Sequence, residues 1–367
     1  MRPRQFLALT AASAAAMSLI AAGVTSVTAQ AATRFPGHHH HQLPAQVYAP
    51  YYETYLAPHT APISNIARRS GARYFTLAFL QAPKKGSCAL DWNGTRSQPL
   101  GYYAKDIARL RKMGGDVIPS FGGYSADHDG TEIADSCTSV SRIAADYEAV
   151  VRTLHVTRLD MDVEDNSLTH KAGIERRSKA IALAQAWAAR HHIQLQVQFT
   201  LPVEPSGLGS EMSVLRSALA AGVRVYSVNI MVFDYYLSNN EPRLPMAVEA
   251  IKAAKSTHRE LAKLFPHVPA AWLWHMIGMT MLPGIDDYTP AREVTQLPAA
   301  KRMLNFARSH RMNFLSIWAI ERDNGACPGA FDSNTCSGVR QKAFAFSHLL
   351  EPFTQRVPFY RRLPLNA

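Results

Sequence analysis

The sequence predicts a single α/β domain of the (β/α)8 TIM-barrel class, and three observations carry that expectation. Short runs of β-branched or aromatic residues alternate with longer helical patterns along most of the chain, as repeated βα units require. Eight such runs fall within about 320 residues, which suits a barrel with some surplus in its loops. The Gly-x-Gly-x-x-Gly turn that a doubly wound nucleotide-binding sheet would place after an early strand is absent. With 47% hydrophobic and 18% charged residues among 367, the chain is globular rather than disordered.

The elements follow in order. Arg2 and Arg4 precede an apolar, Ala-rich stretch over residues 6–24, and Ala29-Gln30-Ala31 offers a small-x-small cleavage site, so residues 1–31 read as an export signal. An apolar stretch of that length also suits an uncleaved anchor. Residues 32–43, with the tract His38-His39-His40-His41, read as a short solvated lead. A His tract can hold a divalent metal, but beside a flexible end it lacks the fixed second shell of a working site, so no metal is expected. Residues 44–367 form the barrel. Strands are predicted at 47–51, 74–80, 116–121, 156–163, 193–200, 223–232, 275–281 and 313–319, with helices over 104–112, 141–153, 175–190, 213–220, 247–264 and 299–308.

Export makes Cys88, Cys137, Cys327 and Cys336 disulfide candidates. Of the three pairings that four cysteines allow, the favoured one joins Cys327 to Cys336 across a short loop and Cys88 to Cys137 between two upstream loops. The formal charge of +11 falls only to +9 when Arg2 and Arg4 are set aside, yet it is spread without a Lys/Arg run or a nucleic-acid motif. Nucleic-acid binding is therefore not expected, and the charge reads as solubility.

The segment richest in chemistry is Leu159-Asp160-Met161-Asp162-Val163-Glu164. Strand side chains alternate faces, so Asp160, Asp162 and Glu164 share one face while the apolar set shares the other. If the apolar face packs against the outer helices, the acids point into the barrel, where at least one must keep a proton at neutral pH. A proton held at the strand's end, on Glu164, can be given to a leaving group. A solvated acidic edge strand or a calcium site is the competing reading, but the calcium-loop pattern is missing.

This ladder resembles the Asp-x-Asp-x-Glu motif on the fourth strand of glycoside hydrolase family 18, the chitinases and their relatives. Ser120-Phe121-Gly122-Gly123, closing the third strand, resembles that family's Ser-x-Gly-Gly motif. Met231-Val232-Phe233-Asp234-Tyr235, at the end of the sixth, is similar to its Met/Asp/Tyr segment. Trp318 on the eighth resembles the tryptophan that floors the sugar pocket. The resemblance spans residues 47 to about 346. It implies that Glu164 is the acid–base and that the substrate's own 2-acetamido oxygen is the nucleophile. It further implies that Asp162 holds the acetamido N–H, that Asp160 shares a proton with Asp162, and that Tyr235 with Asp234 contacts the acetamido group. That tyrosine commonly precedes the aspartate in the family, whereas here Phe233 does. Thr157-Arg158 also replaces the usual Asp-Gly, and Asp165 adds an anion beside Glu164 that should raise its pKa.

Gln198 reads either as a substrate contact or as a satisfied interior amide. Trp92 is a cleft candidate, Trp187 a core residue, and Asp286, Asp287, Arg322 and Asp323 read as loop charges on the rim. The expectation is a secreted, monomeric chitinase that binds N-acetylglucosamine oligomers without a cofactor. The alternatives are an endo-β-N-acetylglucosaminidase acting on glycoprotein or cell-wall glycans, and a non-catalytic sugar-binding protein on the same barrel.

Overall fold

The computed structural model describes residues 43–56, 61–235, 242–288 and 292–354, all within one compact unit. The expected export signal, the His tract and all of the 32–43 lead except Leu43 lie outside the described residues.

Eight parallel strands close a barrel. Strand β1 comprises Val47–Tyr48 and Tyr51–Glu53, two halves of one run. There follow β2 (Tyr74–Gln81), β3 (Asp116–Gly122), β4 (Arg158–Asp162), β5 (Gln196–Pro202), β6 (Val225–Met231), β7 (Ile277–Met281) and β8 (Phe314–Ile317). Sequential strands are neighbours from β2 to β8. The first half of β1 pairs with β8, Val47 beside Phe314, and the second with β2, Tyr51 beside Thr76. The strand that opens the barrel thus also closes it.

Every predicted strand is present, with ends shifted by up to three residues in either direction. The seventh starts at Ile277 rather than 275, because His275 ends a short helix, Ala270–His275. The fourth ends at Asp162, although the Val163 N–H still donates to the Thr200 carbonyl at 3.0 Å. The six predicted helices are found within a few residues of their expected bounds, the longest being Lys171–Arg190 and Met246–Leu264. Leu159, Met161 and Val163 join Tyr147, Val151, Ile181 and Trp187 in the main core between barrel and helices. The alternation of β4 therefore sends Asp160 and Asp162 inward, as expected.

Both expected disulfides form, Cys88–Cys137 and Cys327–Cys336. The first ties the loop after β2 to the end of the helix Ile133–Ser136. No helix among the described residues is long and apolar enough to cross a membrane.

Two expectations fail because loops fold back over the barrel. Trp92 is no cleft residue: it lies in a two-residue antiparallel strand on the end of β2, fully buried, with Nε1 donating to Leu100 O at 3.2 Å. Of the loop charges after the seventh and eighth strands, Asp287 is half-buried and the other three are buried. Arg322 is buried and bonds Asp287 at 2.5 Å and Ile285 O at 2.6 Å. Asp323 is buried too, accepting from the Phe346 and Ser347 amides at the start of the helix Ala345–Leu350.

Candidate active site

Strand register builds the site. Ser120 of β3 lies beside Asp160 and Gly122 beside Asp162, while on the other side Gln198 and Thr200 of β5 match Asp160 and Asp162. Asp160 consequently sits among donors. Its Oδ2 accepts from Tyr51 Oη at 2.8 Å and Ser120 Oγ at 2.7 Å, and its Oδ1 from Thr200 Oγ1 at 2.7 Å and Gln198 Nε2 at 3.0 Å. Burial raises the pKa of Asp160, and these four hydrogen bonds pull it back.

Asp162 is as deeply placed but has no such support. Its Oδ1 is buried with no hydrogen-bond partner among the described residues. Burial raises its pKa well above the usual carboxyl range, and the charges of Glu164, Asp160 and Asp127 add to the rise. Glu164 stands two residues on in extended backbone, half-buried, with its pKa pushed up to about 7. Burial is the main cause, the Tyr124 amide opposes it, and Asp165 adds to it as the sequence suggested. The ladder thus grades three carboxyls by what surrounds each.

The turn after β3 depends on its glycines. Gly122 and Gly123 have φ of 92° and 82°, a region that side chains avoid. A Cβ at Gly122 would collide with the Asp162 carbonyl, and one at Gly123 with the Phe79 ring, 2.6 Å from its Cζ. Half-buried Trp318 stacks on Phe79 with ring centroids 5.5 Å apart and meets Tyr51 edge-on at 5.3 Å. It also packs against the cluster of Met231, Phe233 and Leu282. Glu164, Tyr124, Glu204, Met231, Phe233 and Asp234 line an open cavity of about 230 Å³. Tyr124, Met231 and Phe233 thus share a cavity with a carboxyl that titrates near neutral pH, an arrangement suited to a sugar ring and a leaving-group oxygen.

Known proteins match this chain over most of its length. It is 31% identical over 325 residues to a probable bifunctional chitinase/lysozyme of Escherichia coli, covering 85% of this chain and 35% of that protein. It is 31% identical over 287 residues to endochitinase 11 of Metarhizium anisopliae, covering 76% of this chain and 53% of that protein. The chain thus spans from a third to a half of these two curated relatives. The catalytic domain of a hyperthermophilic chitinase from Pyrococcus furiosus superposes with a TM-score of 0.72 at 28% identity, covering 87% of this chain and 98% of that one. The chain is therefore similar to chitinases over most of its length, and it shares the fold of GH18 chitinases. No protein-family model matches it.

Within this barrel, two residue expectations need correction. Tyr235 does not reach the cavity. Asp234 takes a left-handed φ of 53°, which breaks the strand alternation and turns Tyr235 into the main core. There its amide donates to Glu293 at 3.0 Å, and its hydroxyl is buried without a hydrogen-bond partner among the described residues. Tyr236, the next residue, lies outside the described residues. Asp234 does line the cavity, and its pKa is pushed up to about 9 by burial, by Asp286 and by the charges of Asp287 and Glu293. Asp286, read from sequence as a rim charge, is instead buried beside it, accepting from the Asp234 amide at 3.2 Å.

Asp160, in turn, is not hydrogen-bonded to Asp162. Its four donors come from β1, β3 and β5, and they occupy both its oxygens. Gln198 is one of them through Nε2, while its Oε1 is buried with no hydrogen-bond partner among the described residues, so it is an interior amide satisfied on one side only. Sequence reasoning missed Tyr51, Thr200, Tyr124, Glu204 and Asp127. Tyr51 and Thr200 meet Asp160 only through barrel closure and register. Tyr124 had a visible signal, being the residue that directly follows the Ser-Phe-Gly-Gly motif.

Proposed function

We infer that this chain hydrolyses β-1,4 bonds between N-acetylglucosamine units, with retention of anomeric configuration, through substrate-assisted catalysis. The observation that carries this reading is the pairing of Glu164, poised near neutral pH at the cavity wall, with the buried and unsupported Asp162 behind it. The names of the relatives agree with it, and the Pyrococcus furiosus domain has also been solved, as catalytic-site mutants, with chito-oligosaccharides.

In this reading Glu164 donates its proton to the glycosidic oxygen while the substrate's acetamido oxygen attacks the anomeric carbon. Asp162 accepts the acetamido N–H, and the positive charge growing on the resulting oxazolinium draws Asp162 toward its ionised form. Glu164, now a carboxylate, takes a proton from the incoming water. Asp160, held in place by its four donors, keeps Asp162 crowded. Trp318 and Phe79 form the floor on which the sugar rests. The mechanism calls for no metal or organic cofactor. Export as a soluble monomer completes the proposal. The basic and apolar start of the sequence, and the use of all four cysteines in disulfides, support export to an oxidising compartment.

The test is chromatography of digests of chitooligosaccharides, peptidoglycan and glycoproteins by the wild type and Glu164→Gln. Release of short N-acetylglucosamine oligomers by the wild type alone is expected. Attack on glycoprotein or cell-wall glycans with none on chitin would replace the substrate, and unchanged turnover in the variant would remove Glu164 from its role.

A further inference from the structure

Asp127 is completely buried in the short helix Tyr124–Asp129, which follows Gly122-Gly123. At this point β3 parts from β4. The Gly123 N–H makes the last main-chain bond between them, to Asp162 O at 3.2 Å, and the chain then turns into the helix. The next amide on this edge of β4 is that of Glu164. Asp127 Oδ2 accepts it at 2.5 Å, so a side-chain carboxyl replaces the missing rung of the sheet. On the opposite edge the Val163 N–H donates to Thr200 O at 3.0 Å. Both peptides around Val163 are therefore pinned, one by the neighbouring strand and one by Asp127. Together they set the direction in which the Glu164 side chain leaves the backbone.

Asp127 Oδ1, by contrast, is buried with no hydrogen-bond partner among the described residues. The Asp127 amide donates to Gly123 O at 3.0 Å, and Oδ1 sits where a Cβ on Gly122 would come within 3.1 Å. Behind it stands a buried ion pair, Arg177 Nη2 to Glu132 Oε2 at 2.9 Å, whose arginine also faces Asp135 at 3.9 Å. The same Glu132 oxygen accepts from the Ala134 and Asp135 amides and so holds the helix that ends at disulfide-bonded Cys137. Burying a carboxyl beside this ion pair is costly, and an apolar side chain at 127 would fill the space more cheaply. What an apolar residue cannot supply is the acceptor for the Glu164 amide.

We propose that Asp127 is a positioning residue for Glu164, fixing the peptide from which the acid–base projects. The proposal rests on the reading of Glu164 given above. Asparagine keeps an oxygen at the same point, whereas alanine removes it, and misplacement of a reacting group by about 1 Å can cost about 100-fold in rate.

The experiment compares wild type, Asp127→Ala and Asp127→Asn by steady-state kinetics on N-acetylchitotetraose and by hydrogen exchange of peptides spanning Glu164. In Asp127→Ala, kcat is expected to fall about 100-fold with KM within about 3-fold, and the Glu164 amide to exchange faster. Asp127→Asn should restore kcat to within about 5-fold of wild type and restore slow exchange. Asp127→Ala with near-normal kcat would overturn the proposal, as would Asp127→Asn as slow as Asp127→Ala, or a lost rate with the amide still protected. Should Asp127→Ala not fold, Asp127→Ser, one atom short of the amide, takes its place with the same expectations. A wild type that cleaves no oligomer would defeat the functional reading, while the exchange comparison, which needs no substrate, still decides whether Asp127 holds Glu164.

Discussion

The fourth and sixth strands both bring carboxyls to the same mouth of the barrel, but by different means. On β4 regular alternation carries Asp160 and Asp162 inward and extended backbone continues to Glu164, so the pattern of the sequence is the pattern in space. On β6 the alternation stops at Asp234, whose left-handed backbone sends Asp234 to the cavity and Tyr235 into the core. The ladder's acids differ chiefly in their donors, four on Asp160 and none among the described residues on Asp162 Oδ1, whereas Asp234 is kept protonated by burial and by the acids Asp286, Asp287 and Glu293. Chemistry is placed by strand geometry in one region and by a broken strand in the other.

If that contrast is right, the largest losses belong to the ladder. Glu164→Gln should lower kcat by about 1,000-fold, and Asp162→Asn by about 100-fold, in steady-state assays. A greater loss from Asp234→Asn than from Glu164→Gln would reverse the ranking of the two regions.

At the sixth strand the two neighbours should separate sharply. Asp234→Asn is expected to lower kcat/KM by about 10-fold, while Tyr235→Phe leaves both constants within about 2-fold. Removing an unpartnered buried hydroxyl is near neutral or slightly stabilising, so the melting temperature of Tyr235→Phe should not fall. A large KM effect in Tyr235→Phe would restore the role that family resemblance gave that residue.

Stability should carry the mark of both regions. Glu164 and Asp234 have folded pKa values of about 7 and about 9, raised from ordinary values of 4.5 and 3.8. Between those limits the folded chain binds protons that the unfolded chain releases, so stability falls as pH rises. The melting temperature should therefore decline from pH 5 through 7 and on toward 9, and Asp234→Asn should flatten the upper part of that decline. A melting temperature that rises across this window would contradict the assignments.

The smallest effect concerns Asp165, whose charge helps to raise the pKa of Glu164. Asp165→Asn should move the basic limb of the pH–rate profile, near pH 7 in the wild type, toward acid by about half a unit. An unmoved limb would leave burial as the sole cause of the raised pKa.

Much of this was legible from residues alone. Period-2 alternation announced the ladder, paired glycines announced the turn beside it, and spacing favoured the disulfide pairs that form. The rest needed three dimensions. Tyr51 and Thr200 reach Asp160 only because the barrel closes and the strands register as they do. Trp92 and Arg322 are buried because loops fold back, which no local pattern encodes. Asp127 lies in Ala126-Asp127-His128-Asp129, a stretch that reads as any polar turn until β3 and β4 diverge and leave an amide to be met.

The central claim is that Glu164 and the substrate's acetamido group act together, and anomer-resolved ¹H NMR of the first products formed from N-acetylchitotetraose tests it most directly. The account predicts that the β-anomer appears first and then mutarotates, with product from Glu164→Gln formed about 1,000-fold more slowly. The α-anomer as the initial product would contradict it.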